Sequence, residues 1–295
     1  MAYIPIAAGL VAALCWGTSD YLSRSQSEKL GSYKTVVYSH VVTLVVPLAL
    51  IPWIDPHLSL TPPALEVLAV AGGLNFIALL LLYRAFHRVV VSVVAPIAYT
   101  YPAVTVVLSV ALLGTLVSPA KVVAITGIIL GVILLSTRFS ELKGQLGRRG
   151  KAALTAGVGS AVGCSTFFGM VYVGVGYAAP LVSLVIPALM LRGVGASAGF
   201  ALAPVLGQDI KPSLADFSGT ILVMGVLEAA GFLSFTYGII AGTGSLPMVA
   251  ALSGMGGAVA AGYGLVLLRE HLELNQVAGV LLAIAGVFVL LYFGG

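Results

Sequence analysis

Few side chains in this sequence could do chemistry, and most of them stand inside apolar runs. Glu228 sits in V-L-E-A-A-G-F and Arg192 in L-M-L-R-G-V. A charge placed deep in lipid costs about 2.5–3.5 kcal/mol on insertion scales, so each needs a partner or a role. The functional reading lets Arg192 contact an anionic group, and Glu228 a cationic group or a proton. The structural alternative is an ion pair clasping two helices. His40 aligns with Arg192 at a shift of 152 residues, and a histidine in ordinary surroundings titrates near neutral pH. Packing would serve it equally. Asp20 stands four residues before Arg24, so on a helix the two share a face as a surface pair. Read for transport chemistry, Glu228, Asp20 and His40 are the groups that could carry a proton.

A second set could bind without titrating. Asn75 and Tyr83 share part of one helical face, and Asn75 could hydrogen-bond a ligand or a neighbouring helix. Tyr99, Thr100 and Tyr101 lie between Pro96 and Pro102. Each proline removes a backbone donor and frees a carbonyl one turn earlier. In a membrane such a carbonyl must be satisfied by a cavity or a polar neighbour. On a continuous helix Tyr99 and Tyr101 point about 200° apart, so one of them should face a cavity, and Tyr99 is the choice. Ser253, in S-G-M-G-G, occupies the matching region of the second half. Those small residues suit close packing or a broken helix opposite Tyr99. Trp16 is either a binding platform or a packing and interface anchor.

The elements that must position these groups are membrane helices. Sixty per cent of the 295 residues are hydrophobic and 8% are charged, with a mean hydropathy of +1.11. Soluble domains carry about 25% charged residues. A span needs about 20 mainly apolar residues, and ten such stretches can be cut: 3–22, 33–53, 64–86, 89–113, 119–136, 152–173, 181–206, 214–240, 245–268 and 275–293. Their length suits helices rather than the shorter strands of a barrel. No positive charge precedes the first run, which argues against a cleaved signal peptide. Cys15 and Cys164 both lie in apolar segments and propose no disulfide.

Charge orients the stack. Arg24, Lys29, Lys34, Arg84, Arg88, Arg138, Lys143, Arg148, Arg149, Lys151, Lys211 and Arg269 fall on one set of alternate loops, and only Lys121 on the other. The basic side should be cytoplasmic, with both termini outside a cell (inner or plasma) membrane. The two halves also resemble each other. At a shift of 155 residues, Val94-Ala95 meets Val249-Ala250, Ala103-Val104 meets Ala258-Val259, and Gly131-Val132 meets Gly286-Val287. Five spans per copy is an odd number, so the second copy must insert upside down. The expected architecture is an all-α membrane protein of ten transmembrane helices: a five-helix repeat over 1–137, a basic connector over 138–151 and an inverted repeat over 152–295. Secondary transporters commonly place their site at the midplane between such repeats.

Several motifs resemble one family. Trp16-Gly17 with Ser19-Asp20-Tyr21, Tyr83-Arg84-Ala85 followed by Ser92-Val93-Val94-Ala95-Pro96, Tyr101-Pro102-Ala103-Val104-Thr105, and Leu268-Arg269-Glu270 with Gly279 and Gly286 are similar to signatures of EamA-type members of the drug/metabolite transporter superfamily. The resemblance implies a small-molecule permease, often an exporter of amino acids or other metabolites.

Other functions find little support. Gly195-Ala196-Ser197-Ala198-Gly199 matches G-x-S-x-G, but a nucleophile elbow needs a strand-to-helix turn and this run is apolar and helical. An intramembrane serine hydrolase is therefore the lesser alternative, beside a non-transporting membrane assembly protein. No P-loop, dinucleotide fingerprint, zinc spacing or calcium loop is present, so no cofactor or metal is called for. The basic excess reads as topology, with no nucleic-acid partner. The expected partners are a small-molecule substrate and the lipid bilayer, and the chain would act as a monomer or homodimer. Glycines four apart, as in Gly127/Gly131, Gly159/Gly163 and Gly238/Gly242, suit close helix contacts.

Overall fold

A computed structural model of the protein describes residues 3–54, 57–88, 91–137, 139, 151–211, 216–268 and 273–293. The first half runs α1 (Tyr3–Leu30), α2 (Ser32–Ile54), α3 (Pro62–Arg88), α4 (Val91–Ala98), α5 (Tyr101–Leu113) and α6 (Pro119–Ser136). The second runs α7 (Lys151–Ala178), α8 (Ile186–Leu202), α9 (Gly219–Ile240), α10 (Leu246–Ser253), α11 (Gly256–Leu268) and α12 (Leu274–Phe293). The described residues contain no strand. The connector lies outside them, apart from Phe139 and Lys151.

Local sequence sets the helix ends. Ser118 and Ser218 each accept a hydrogen bond from a backbone amide of the first turn, those of Lys121 and Ile221, the usual work of an N-cap serine. Between α1 and α2 the chain turns at Gly31, whose φ of 79° is a left-handed conformation that glycine adopts without a Cβ clash. Pro102 leaves α5 without one amide, and the helix from Val91 to Leu113 breaks at Tyr99–Thr100. Thr100 closes the break locally: its backbone amide and its hydroxyl both donate to Ile97 O, at 3.1 and 2.7 Å. A matching break at Gly254–Met255 separates α10 from α11.

Among the described residues, seven helical stretches are long and apolar enough to cross a bilayer. The remaining stretches read from the sequence take other forms. The first helix runs on to Leu30 through a polar tail, S-R-S-Q-S-E-K, because its Arg, Gln, Glu and Lys are good helix formers and nothing breaks the chain before Gly31. The stretch expected to begin at 181 begins at Ile186, after a short 3-10 turn over Ala179–Leu181. There Pro180 and Pro187 punctuate the chain.

Helices from the two halves interleave. α1 packs on α9, α10 and α11, while α7 packs on α3, α4 and α5. α2 lies against α8 and α9, and α3 against α8. α6 pairs with α12. Large apolar side chains such as Val45, Val107, Leu130, Leu281 and Phe288 are exposed on the outer surface, as a lipid-facing wall requires. The polar side chains turn inward: Ser19, Thr35, Ser39, His40, Asn75, Arg192 and Glu228 are all buried.

The α6–α12 pair touches backbone to backbone. A Cβ at Gly131 would lie 2.6 Å from Ala283 N, and one at Gly279 would lie 2.6 Å from Gly131 O. Small residues at such a crossing let packing replace the hydrophobic effect, which is absent between helices in lipid. Gly279→Val should therefore force the pair apart and cost about 1–3 kcal/mol. The detergent-solubilised variant should unfold at a lower temperature than the parent; an unchanged midpoint would contradict the close crossing.

Candidate functional site

Arg192, on α8, is 2% exposed, and four neighbours answer its guanidinium. Its Nη2 donates to Glu228 Oε2 on α9 at 2.5 Å, and its Nη1 donates to Asn75 Oδ1 on α3 at 3.2 Å. Nη1 also lies 3.4 Å from His40 Nε2 on α2. The guanidinium carbon stands 4.6 Å from the centroid of the Phe232 ring. The His40 ring is fixed from its other side, since Nδ1 meets Val36 O at 2.8 Å. A carbonyl only accepts, so Nδ1 carries the proton and Nε2 is the acceptor turned toward arginine. Four helices thus converge on one cation.

A second polar pair stands apart from the first. The Tyr99 hydroxyl donates to Asp20 Oδ2, joining the break after α4 to α1. Arg24 turns away from Asp20 and pairs with Glu28 at 3.6 Å, both exposed. The expected surface pair with Asp20 is thus replaced, because Asp20 finds a hydroxyl inside while Arg24 stays in solvent. Tyr83 lies against Ser23, whose hydroxyl donates to Asp20 O at 2.8 Å.

Between these pairs lies a narrow cavity lined by Trp16, Asp20, Asn75, Tyr99, Arg192 and Glu228, with an aromatic wall of Tyr101, Phe168, Tyr172 and Phe232. About 40 Å³ of it is open to the centre of a water-sized guest, room for a few waters. Trp16 stacks on Tyr172 at 5.5 Å between centroids and meets Phe232 edge-on at 5.1 Å. The buried Trp16 Nε1 and Arg192 Nε have no hydrogen-bond partner among the described residues.

The structure brings together Trp16, Asp20, Asn75, Tyr99, Arg192 and Glu228 in the cavity wall, with His40 one layer behind Arg192. It leaves Tyr83 and Ser253 outside the lining. Ser253 still reaches the site through Tyr101, whose hydroxyl lies 3.0 Å from its Oγ. The choice of Tyr99 over Tyr101 is corrected: both line the cavity. The 200° argument assumed one continuous helix, and the break at Tyr99–Thr100 resets the direction. Across from Tyr99 the backbone of Gly257 comes close enough that a Cβ there would sit 2.9 Å from Tyr99 Cγ. The small-residue run therefore serves both as packing surface and as break.

Sequence reasoning passed over Phe168, Tyr172 and Phe232. A signal for two of them was present: the 152-residue shift that relates His40 to Arg192 also takes Trp16 to Phe168 and Asp20 to Tyr172. Ser197 lies mid-helix in α8 and faces outward, so the strained turn of a nucleophile elbow is not formed there.

What the fold and the site define is a multi-pass helical membrane protein with a polar centre. Residues 3–137 match the model of the EamA-like transporter family, part of the drug/metabolite transporter superfamily. The chain is also 28% identical over 129 residues to an uncharacterized protein of Methanocaldococcus jannaschii, covering 43% of this chain and 93% of that one. One solved crystal structure superposes with a TM-score of 0.74 over 97% of this chain and 95% of its own, at 17% identity. At that identity the likeness concerns the fold.

Breaking a buried ion pair by removing one partner is costly, because the other charge stays behind. Glu228→Ala should destabilise the protein by about 3–5 kcal/mol. Replacing both partners by methionine, R192M with E228M, should recover most of that loss. Thermal unfolding in detergent checks both, and a Glu228→Ala variant as stable as the parent would contradict the clasp.

Proposed function

We propose that the protein is a secondary transporter that moves a small polar metabolite, such as an amino acid, by alternating access. The observation that carries the reading is the buried cavity itself. Charged groups are costly inside a membrane and mark substrate or ion pathways when they are kept. Here two carboxylates, one guanidinium and two partnerless N–H donors surround a narrow space walled by aromatic rings. Ligand sites combine an apolar wall with a few convergent polar groups in this way.

The architecture we infer is ten spans in two inverted five-helix repeats, over 1–137 and 152–295. Counting α4 with α5 and α10 with α11 as broken spans supports the number. The packing supports the symmetry: α1–α9 has its counterpart in α7–α3, and α2–α9 in α8–α3. A two-fold axis predicts that equivalent residues meet only where they lie on it. His40 and Arg192, matched by the 152-residue shift, make such a contact. Lys34, Lys211 and the tail of α1 gather at one end of the bundle, where Tyr38 donates to Lys211 O at 3.2 Å. That end is the cytoplasmic one under the positive-inside rule, with both termini outside.

Alternating access gives the two breaks a role. The space now open is too small for a metabolite, so the aromatic wall must move for substrate to enter. Broken helices at the midplane let half-helices swing without unwinding elsewhere. The purified protein should show a thermal shift with members of a panel of amino acids, nucleosides and sugars. The stabilising compound should then exchange across proteoliposomes with saturable kinetics. Trp16→Ala should cut that flux by about tenfold or more, the size expected of a lost aromatic platform. Vesicles that pass none of the panel would retire the transporter reading.

A further inference from the structure

The cavity holds one cation against two carboxylates, and the two carboxylates are not equivalent. Glu228 is committed to Arg192 at 2.5 Å. Arg192 is in turn held by Asn75, faced by His40 and covered by the Phe232 ring. Together these groups form a neutral unit. Asp20 has no basic partner in salt-bridge reach among the described residues; its side chain is met by the Tyr99 hydroxyl. A phenol can hydrogen-bond a carboxylate but cannot cancel its charge.

Among the described residues, no other group nearby supplies that charge. From α3 comes Tyr83, engaged by Ser23. From α7 come Tyr172, packed on Trp16, and the buried thiol of Cys164. Tyr101 on α5 bonds Ser253, and Tyr263 on α11 bonds Thr18 at 3.0 Å. On α1 itself, Cys15 is a thiol and Arg24 faces outward to Glu28. His40 on α2 presents its unprotonated nitrogen toward Arg192. The α10 segment carries no titratable side chain. With every acid ionised, the cavity therefore bears one uncompensated negative charge in a low-dielectric setting.

We propose that Asp20 is the substrate carboxylate, and that the site takes an organic monocation, an ammonium bearing an apolar or aromatic group, in exchange with a proton on the same oxygen. This rests on the transporter reading and narrows its substrate class. The aromatic groups beside Asp20 fit such a guest. Trp16, Tyr99, Tyr172 and Phe232 line the same space, and aromatic faces attract a desolvated cation. Arg192, its charge answered by Glu228, is a positioning residue that holds α8, α9 and α3 together around the cavity. The balance is simple: an ammonium enters as the proton leaves Asp20, and the site is neutral in both states.

The sign of the pH dependence follows. Protonating Asp20 removes the charge the ammonium needs, so amine binding is strong at high pH and lost as pH falls. One proton displaced per amine gives a slope of about tenfold in affinity per pH unit on the acid side.

Three probes of similar size and different charge test this: phenethylamine, phenylalanine and 3-phenylpropanoate. Binding is measured calorimetrically on the full chain in detergent, and flux in proteoliposomes. Phenethylamine should bind tightest, with the acid-side slope, and should release a proton at low pH. Asp20→Asn keeps the shape and can still accept from Tyr99. It should weaken amine binding by on the order of tenfold or more and flatten the pH profile. Asp20→Glu should restore the slope, which a purely structural role would not. The inference is overturned if phenylalanine or phenylpropanoate binds more tightly, if the amine does not bind at millimolar concentration, or if Asp20→Asn binds it as the parent does. Amine binding with the predicted slope but no flux of any probe would keep the site and overturn the transporter reading. Flux of phenylalanine in preference to the amine would do the reverse.

Discussion

Arg192 is the group around which this structure must be arranged. A guanidinium cannot shed its proton within a protein, so in a membrane it must be surrounded. Glu228 cancels its charge, Asn75 and His40 take up one arm, and Phe232 covers a face. These partners come from α9, α3, α2 and α9 again, so satisfying one side chain fixes the relative positions of four helices. The cost of a solitary charge in lipid thus becomes positional information. Such a centre need not add net stability over an apolar core; its effect is to specify one arrangement of helices that lipid alone would leave free to slide.

Asp20 stands outside that arrangement, and the contrast gives the cavity its character. The same space contains a charge fully answered and a charge met only by a phenol. An aromatic wall lies between them, from Trp16 through Tyr172 to Phe232. Proline and small residues add the remaining ingredient. The breaks at Tyr99–Thr100 and Gly254–Met255 face each other across the centre, where Tyr101 and Ser253 meet. Irregular backbone at membrane depth is tolerated where it is buried in protein or lines a cavity, and these two breaks meet that condition.

Much of the plan was legible in the residues. Long apolar stretches gave helices, because lipid offers a backbone no other partner. Glu228 and Arg192 stood out because charge is costly there, and the clasp between helices was one of the two readings open to them. Glycines at four-residue spacing pointed to close crossings, and Gly131 makes one with Gly279. Other features were read amiss. The pairing of Asp20 with Arg24 followed from helical spacing alone, and spacing says nothing of a hydroxyl arriving from another helix. Choosing between Tyr99 and Tyr101 required knowing whether the helix continued. Tyr172 and Phe232 looked like ordinary membrane-core aromatics, since nothing local distinguishes a ring against a cavity from a ring against lipid.

By itself the sequence determined that this is a helical membrane protein, where its apolar segments lie, and which few charges had to be accounted for. Those properties follow from transfer energies and hydrogen-bond demands that each segment meets alone. The tertiary structure decided which carboxylate holds the arginine and which is left beside the cavity. That choice depends on contacts between residues such as Arg192 and Asn75, 117 positions apart, and on helix breaks that redirect side chains. No periodicity along the chain encodes either one.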